Sequence, residues 1–465
     1  MTTTYDAIII GTGQAGPFLA QRLTQAGITV AIIERQSFGG TCINTGCIPT
    51  KTMVASAYAA HLARRAADFG VMTGDVSVDM KQVKARKDAV SDQSRVGLET
   101  WLKGMERCTV YTGHARFESP GEVSVGSERL TAERIFINVG GRATVPRLTG
   151  LDTIPYLTNS SMMHVDFLPE HLIIVGGSYI GLEFGQMFRR FGSAVTIIEM
   201  GDRLIQREDE DVSAAIKDIV EREGISIRLN ATCIGFSKRD AAIDAQMDCA
   251  AGPAEVRGTH VLLAVGRRPN TDDLGLDKAG IAVDARGYIV VDDQLRTSAP
   301  GIWAVGDCNG KGAFTHTSFN DAEIVAANLI DNDPRRVTDL IPAYALYVDP
   351  PLGRAGLTEA AVRARGRAAL IGKRAMTRVG RAVEKGETQG FMKIIVDAQT
   401  REILGAAILG TGGDEAIHSI LDVMYARAPY TVIQRAVHIH PTVSELIPTM
   451  LGELQPFSNS AGAPQ

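Results

Sequence analysis

Cysteine is scarce in this chain and mostly scattered. Six occur in 465 residues: Cys42, Cys47, Cys108, Cys233, Cys249 and Cys308. Only the first two are close neighbours, which excludes a secreted scaffold stapled by disulfides. Long apolar runs are also missing, and none approaches the roughly 18 residues that mark a membrane-spanning helix. Only four residues precede the strand-like Tyr5-Asp6-Ala7-Ile8-Ile9-Ile10, so there is no basic segment followed by an apolar one. These absences predict a soluble, cytoplasmic chain without a membrane partner. Positive charge is not in excess, since 48 Lys and Arg against 53 Asp and Glu leave a net charge of −5. Nothing in that balance attracts nucleic acid. Low-complexity repeats are absent too. Hydrophobic content of 45% and charged content of 22% are ordinary for a globular protein, and the length allows roughly three domains.

What the chain does contain is a pattern used twice. Ala7-Ile8-Ile9-Ile10 reads as a buried strand, Gly11-x-Gly13-x-x-Gly16 as a turn, and the residues to about Ala26 as a helix. Thr29–Ile33 is the next strand, and it ends at Glu34, 23 residues beyond Gly11. Glycines let the backbone approach a pyrophosphate, the helix N-terminus neutralises it, and the acid binds ribose hydroxyls. The second copy has strand Leu172–Val175, a turn with Gly176, Ser178 and Gly181, a helix over 182–191 and a strand closing at Glu199. Ser178 replaces the middle glycine, and the bland reading is a degenerate copy without a ligand. A carboxylate at position 199 disfavours a 2′-phosphate, so NADH is expected over NADPH, with Arg203 close enough to soften that preference.

Between the copies lies Gly39-Gly40-Thr41-Cys42-Ile43-Asn44-Thr45-Gly46-Cys47-Ile48-Pro49-Thr50-Lys51. Pro49 suits the first turn of a helix, and Ile48, Met53, Val54, Ala57 and Tyr58 continue at helical spacing. The predicted helix runs from about Pro49 to Ala67, and another from about Met80 to Lys103. Cys47 then sits at a helix N-terminus, where the macrodipole favours a thiolate, with Cys42 near enough to pair with it. The bland alternative is two buried free cysteines. The flanking glycines, Pro49, Lys51 and the upstream nucleotide turn favour a redox-active pair.

Residues 134–141 read as a strand entering a glycine turn at Gly140. Residues 259–270 (with Gly266) end the second nucleotide unit, and residues 287–307 return to strands that finish in Ile302–Asp307. Asp307 at that strand end suits a ribityl or pyrophosphate group, although alone it would be an ordinary turn. Beyond about Val337 the pattern changes to strands at 390–396 and 403–409, with helices from about Asp414. The last feature is His438-Ile439-His440-Pro441-Thr442-Val443-Ser444-Glu445. His440 and Glu445 can meet across a loop, with Pro441 starting a helix. A carboxylate on one ring nitrogen makes the other a better base, although surface His–Glu pairs are common. His438 reads as structural.

In combination and in order, these motifs resemble the class I pyridine nucleotide–disulfide oxidoreductases over about residues 4–452. The resemblance implies an α/β chain with two Rossmann-like nucleotide-binding domains and a C-terminal α+β dimerisation domain. Expected boundaries are 1–150 with 271–336 for the FAD domain, 151–270 for the NAD(P) domain, 337–456 for the interface domain and 457–465 for a disordered tail. It implies FAD on Gly11, Gly13, Gly16, Glu34, Thr41, Lys51, Gly140 and Asp307. NADH or NADPH is expected on Gly176, Ser178, Tyr179, Gly181, Glu199 and Gly266, with Tyr179 covering the nicotinamide pocket or simply packing its helix. Cys47 looks like the flavin-side thiol and Cys42 like the one that attacks substrate. Lys51 and Glu183 match an ion pair near the flavin. His440 with Glu445 would serve the disulfide of the other subunit of a homodimer. The acceptor expected is a small-molecule disulfide, oxidised thiol or related oxidant. Asp349-Pro350-Pro351-Leu352-Gly353-Arg354 points to a mercuric-reductase-like subgroup that includes reductases linked to reactive-chlorine resistance. A dihydrolipoamide dehydrogenase subunit is the alternative. Mercuric reduction is disfavoured because no cysteine follows Cys308. Arg64, Arg65 and the residues near Tyr344 are candidate walls of the acceptor pocket.

Overall fold

Ile8, Ile9 and Ala7 are fully buried and Ile10 nearly so. A strand apolar on both faces needs cover on both, which is the condition for the centre of a parallel sheet. The computed structural model describes residues 2–248 and 254–457, and it places this strand there. In chain order, the first nucleotide unit contains β1 (Ala7–Ile10), α1 (Ala15–Gln25), β2 (Val30–Glu34), α2 (Gly40–Asn44), α3 (Cys47–Arg64), α4 (Met80–Lys103), β3 (Cys108–Thr112) and β4 (Arg134–Ile137). The second contains β5 (His171–Val175), α5 (Tyr179–Phe191), β6 (Ala194–Ile198), α6 (Glu210–Arg222), β7 (Ser226–Arg228) and β8 (His260–Leu263). The chain then returns to the first sheet with β9 (Ile302–Ala304) and α7 (Thr315–Ala326).

The first sheet has the order β9-β4-β1-β2-β3 and the second β7-β6-β5-β8, all parallel. Both cradles therefore open at the carboxyl ends of their central strands, where such sheets bind ligands. The C-terminal part is an antiparallel sheet of β10 (Ala343–Leu346), β11 (Leu352–Gly356), β12 (Ala369–Ala375), β13 (Phe391–Asp397), β14 (Ile403–Leu409) and β15 (Gln455–Pro456). Its order is β10-β11-β14-β13-β12-β15, and it is accompanied by α8 (Gly413–Tyr425) and α9 (Leu446–Gly452). Among the described residues, no helix is long and apolar enough to cross a membrane.

Buried charge joins the second nucleotide unit to this last sheet. Lys393 on β13 has a side chain only 1% exposed, and its ammonium lies 3.0 Å from Asp209, 2.7 Å from Asp211 and 2.7 Å from Glu359. Arg354 on β11 is equally buried and pairs with Glu208 and, at 2.9 Å, with Asp209. Burial alone would raise the Asp209 and Asp211 carboxyls. Arg354 and Lys393 outweigh it at Asp209, and Lys393 with Lys373 at Asp211, so both acids lie below their ordinary range. Removing one member would strand a charge away from water, which typically costs about 3–5 kcal/mol.

Several local expectations are corrected. Helix α3 begins at Cys47 itself rather than near Pro49, and it ends at Arg64, with a short 3₁₀ turn over Ala66–Phe69. Most of 287–301 is not strand. The Asp284 side chain takes the amides of Arg286 and Tyr288, and Asp292 takes those of Gln294 and Arg296, each at 2.9 Å. Such carboxylate-capped turns replace a strand ladder. Pro441 does not open a helix. Residues 441–445 form turns, and α9 starts at Leu446. Of the expected disordered tail, Phe457 is buried, and its amide bonds Ala369 O at 2.9 Å. Residues 458–465 and Cys249 lie outside the described residues.

Candidate active site

One cavity of about 1610 Å³ runs between the two cradles and past both cysteines. A cleft for a single small ligand measures roughly 300–1,000 Å³, so this one has room for two nucleotides. It is lined by Gly11, Gly13, Glu34, Thr41, Cys42, Cys47, Lys51, Gly140 and Asp307, and from the second unit by Gly176, Ser178, Tyr179, Glu183, Glu199 and Gly266. Gly16 and Gly181 do not line it. A Cβ on Gly16 would stand 2.4 Å from Gly11 O, and one on Gly181 would stand 2.0 Å from Gly176 O. These two glycines press their helices onto the preceding turns.

The turn glycines are sterically required. Gly11 has φ +106° and Gly176 φ +112°, and an added Cβ would meet Asn138 O at 2.3 Å or Ala264 O at 2.4 Å. Glu34 is buried and accepts from the Thr12 amide at 3.1 Å and the Thr12 hydroxyl at 2.5 Å. Glu199 accepts from the amides of Gly177 at 2.6 Å and Gly201 at 2.8 Å. Both acids are thus oriented at the lips of their cradles. Gly140 and Gly266 have positive φ, and an added Cβ would project into open space there, so their backbone lies bare to the cavity. Asp307 is raised in pKa by burial, which Arg267 at 3.8 Å only partly offsets. An acid so placed fits the hydroxyls or phosphates of a dinucleotide, and the residues present suit FAD in the first cradle and a pyridine nucleotide in the second.

The redox loop is tied to this frame. Gly39 N donates to the Thr12 hydroxyl at 3.1 Å, and Arg267 donates to the Thr41 hydroxyl at 3.1 Å. Cys47 is the first residue of α3, and its Sγ lies 3.2 Å from the Thr315 hydroxyl, which opens α7. The Cys42 thiol donates to Cys47. That bond lowers the Cys47 thiol most, burial opposes it, and Thr315 and then Lys51 add to the lowering, to about 6. The same bond, followed by burial, pushes the Cys42 thiol far above its ordinary range. These contacts favour negative charge on Cys47 and a retained proton on Cys42. Lys51 Nζ meets Glu183 at 2.7 Å and stands 4.7 Å over the Tyr347 ring, while Glu183 also accepts the Tyr347 amide at 3.1 Å. That pair connects α3 to α5 across the cavity.

His440 and Glu445 do meet, Nδ1 to Oε2 at 2.9 Å, but within one chain neither lines the cavity. His440 is exposed, as are the apolar residues just before it, Val437 fully and Ile439 to 80%. Arg64 and Arg65 do not line this cavity, and their guanidinium groups bond Arg190 O and Gly386 O. Near Tyr344 the lining residues are Ala345 and Tyr347. Arg203 does not line the cavity either, and Gln206 and Arg207 take that place. Sequence reading missed Thr315, Arg267 and Tyr347. Arg267 follows a strand–glycine turn and could have been suspected, whereas nothing in the spacing links Thr315 to Cys47, 268 residues away.

Comparison with known proteins agrees with this geometry. The family described as pyridine nucleotide-disulphide oxidoreductase matches residues 5–322, and its dimerisation domain matches residues 342–451. The chain is 36% identical to the probable pyridine nucleotide-disulfide oxidoreductase RclA of Escherichia coli, covering 95% of this chain and 97% of that one. It is 33% identical to a mercuric reductase of Streptomyces lividans (96% and 95% covered) and 32% identical to a dihydrolipoyl dehydrogenase of Thermus scotoductus (95% and 95%). Among solved structures, the Cu(II) complex of the HOCl-induced flavoprotein disulfide reductase RclA from Escherichia coli superposes with a TM-score of 0.89. It is 34% identical, with 97% of this chain and 99% of that one covered. A cavity sized for two nucleotides, a thiol pair between their cradles and these matches lead to one conclusion: the chain belongs to the pyridine nucleotide-disulphide oxidoreductases, FAD-dependent enzymes that use NAD(P)H and carry a dimerisation domain.

Proposed function

We propose that electrons taken from NADH reach the Cys42–Cys47 pair and leave on a small-molecule disulfide, oxidised thiol or related oxidant in the cytoplasm. The observation that carries this reading is the asymmetric thiol pair at the start of α3, facing the cavity shared by both cradles. FAD, when bound by Glu34, Thr41, Lys51, Gly140, Asp307 and the Gly11–Gly16 turn, supplies two-electron transfer between a nicotinamide and a thiol pair. We take the FAD domain as residues 1–150 with 271–336, the NAD(P) domain as 151–270 and the interface domain as 337–456.

The residues divide the work. Cys47, kept as a thiolate by Cys42, Thr315 and Lys51, is the flavin-side sulfur. Cys42 keeps its proton and so needs a base before it can attack. His440 of the partner subunit, oriented by its own Glu445, is that base, and the apolar Val437 and Ile439 beside it are suited to burial in a dimer interface. With its proton gone, Cys42 attacks one sulfur of the acceptor disulfide and releases the first thiolate, which takes a proton from the imidazolium. Cys47 then attacks the Cys42 sulfur, closes the Cys42–Cys47 disulfide and releases the second thiolate, which takes its proton from water.

Turnover with NADH and NADPH against lipoamide, glutathione disulfide, a small aromatic disulfide, Hg(II) and hypothiocyanous acid tests this reading. Activity with one acceptor other than lipoamide, abolished by Cys42→Ser, is the expected result. Fast lipoamide turnover would instead support the dihydrolipoyl dehydrogenase alternative, which Glu199 and the His440–Glu445 pair keep in view. Full activity in both Cys42→Ser and Cys47→Ser would overturn the thiol mechanism.

A further inference from the structure

Three aromatic rings from distant parts of the chain meet beside the cavity. Tyr179 opens α5, Phe314 immediately precedes α7 and Tyr344 lies on β10. Phe314 and Tyr344 are nearly parallel, at 11° and 5.6 Å. Tyr179 stands edge-on to both, at 81° and 5.8 Å to Phe314 and at 88° and 5.6 Å to Tyr344. Tyr179 and Phe314 line the cavity, and Tyr344 stands behind them.

The two tyrosines differ in how their hydroxyls are held. Tyr344 donates to Glu208, a buried carboxylate whose other partner is Arg354, Nε to Oε2 at 3.1 Å. The Tyr344 ring is thus fixed at both ends, by stacking and by a charge-assisted bond. The Tyr179 hydroxyl is buried and makes no well-formed hydrogen bond, its one polar neighbour being the Tyr344 hydroxyl, whose proton already goes to Glu208. An unmade bond of this kind disfavours the position the ring occupies, and two edge-on aromatic contacts favour it. A ring held by opposing terms of similar size is easily moved. Tyr344 and Arg354 come from the C-terminal sheet, whereas Tyr179 and Glu208 belong to the second nucleotide unit, so the contact spans the same joint that Lys393 closes.

We propose that Tyr344, fixed by the Arg354–Glu208 pair, is a positioning residue that holds the Tyr179 ring over the nicotinamide end of the second cradle and so sets how readily the pyridine nucleotide enters. This rests on reading Tyr179 as the cover of that pocket. The C-terminal sheet then acts on nucleotide entry as well as on dimer formation. Loosening Tyr344 frees Tyr179 to move aside, which favours entry without touching the sulfur chemistry.

The test measures flavin bleaching by NADH in stopped flow on the FAD-loaded dimer. It compares the parent with Tyr344→Phe, Tyr344→Leu, Tyr179→Leu and the double Leu variant. Tyr344→Leu is expected to lower the apparent NADH dissociation constant two- to ten-fold, the size of one edge-on aromatic pair, while the limiting bleaching rate is kept. Tyr344→Phe, which loses the hydroxyl and its bond to Glu208 but keeps the ring, is expected to shift the constant in the same direction by less, and it carries the test alone if the Leu variant fails to fold. On the Tyr179→Leu background, Tyr344→Leu is expected to add nothing. An unchanged constant in both Tyr344 variants beside a shifted one in Tyr179→Leu would overturn the proposal and leave the pocket reading standing. Additive shifts would also overturn it, because Tyr344 would then act without Tyr179. No shift in Tyr179→Leu would overturn the pocket reading itself and the proposal with it.

Discussion

In the first cradle the acid is buried, and it takes the Thr12 hydroxyl as well as the amides of Thr12 and Gln36. In the second the acid is only half-buried, and it takes one amide from each side, Gly177 and Gly201. The first is also tied into its surroundings. Asn138 Nδ2 bonds Gly13 O at 3.0 Å, and the Thr12 hydroxyl accepts the Gly39 amide of the redox loop. The second is rimmed by Met200, Gln206 and Arg207, all exposed. A closed, cross-linked cradle suits a group that stays bound. An open one held by backbone alone suits a cosubstrate that must leave after each turnover. The two copies of one motif have diverged in tightness while keeping their geometry.

The harshest way to break that comparison is to fill each turn. Gly11→Ala forces a Cβ onto Asn138 O at a strained φ, costing roughly 1–3 kcal/mol, and is expected to yield protein without flavin. Gly176→Ala meets a similar clash with Ala264 O but is expected to keep its flavin and lose NADH-driven reduction. Flavin absorbance per chain and NADH turnover separate the two, and loss of flavin in both would erase the distinction. The next largest effect is expected at the acids. Glu199→Ala removes a charged acceptor and is expected to raise KM for NADH roughly ten-fold, with KM for NADPH rising less and flavin content unchanged. Glu34→Ala is expected to deplete flavin instead.

Between the cradles, the thiol pair gives a pH test. Because the Cys47 thiol is lowered to about 6, its thiolate is present above that pH and is lost as pH falls through it. Alkylation of Cys47 in the reduced enzyme is therefore expected to rise through a midpoint near 6. Thr315→Val removes one hydrogen bond to the thiolate and is expected to raise that midpoint by roughly half to one unit. The smallest effect sharpens the comparison at the residue where the two motifs differ most plainly. Ser178 makes no side-chain cap bond at the start of α5, so Ser178→Gly is expected to change NADH kinetics by less than about two-fold.

The sequence made the cradles legible because each is one local unit whose strand, turn, helix and acid fall within 28 residues. The Met80–Lys103 helix and the strand at 403–409 were equally plain, one a long stretch with a clear stop and the other a short apolar run. Lys51 with Glu183, and Cys42 with Cys47, came from the family resemblance and from spacing, and the structure brings both pairs together. What stayed hidden depends on residues far apart in the chain. Thr315 reaches Cys47 only because β9 returns to the first sheet. Tyr179, Phe314 and Tyr344 meet only once three sheets are packed. The false strands at 287–301 arose because alternating apolar residues hid two aspartates that cap turns, and Pro441 was misread because a proline preceding a helix need not stand in its first turn.

The buried knot around Lys393 also bears on how the molecule responds to heat. Hydration of charged groups becomes less favourable as temperature rises, so the cost of keeping this ammonium and its three carboxylates from water shrinks on warming. The apolar cores on either side gain no such relief. In a calorimetric scan, the second cradle and the C-terminal sheet are thus expected to melt together in one transition rather than to separate first.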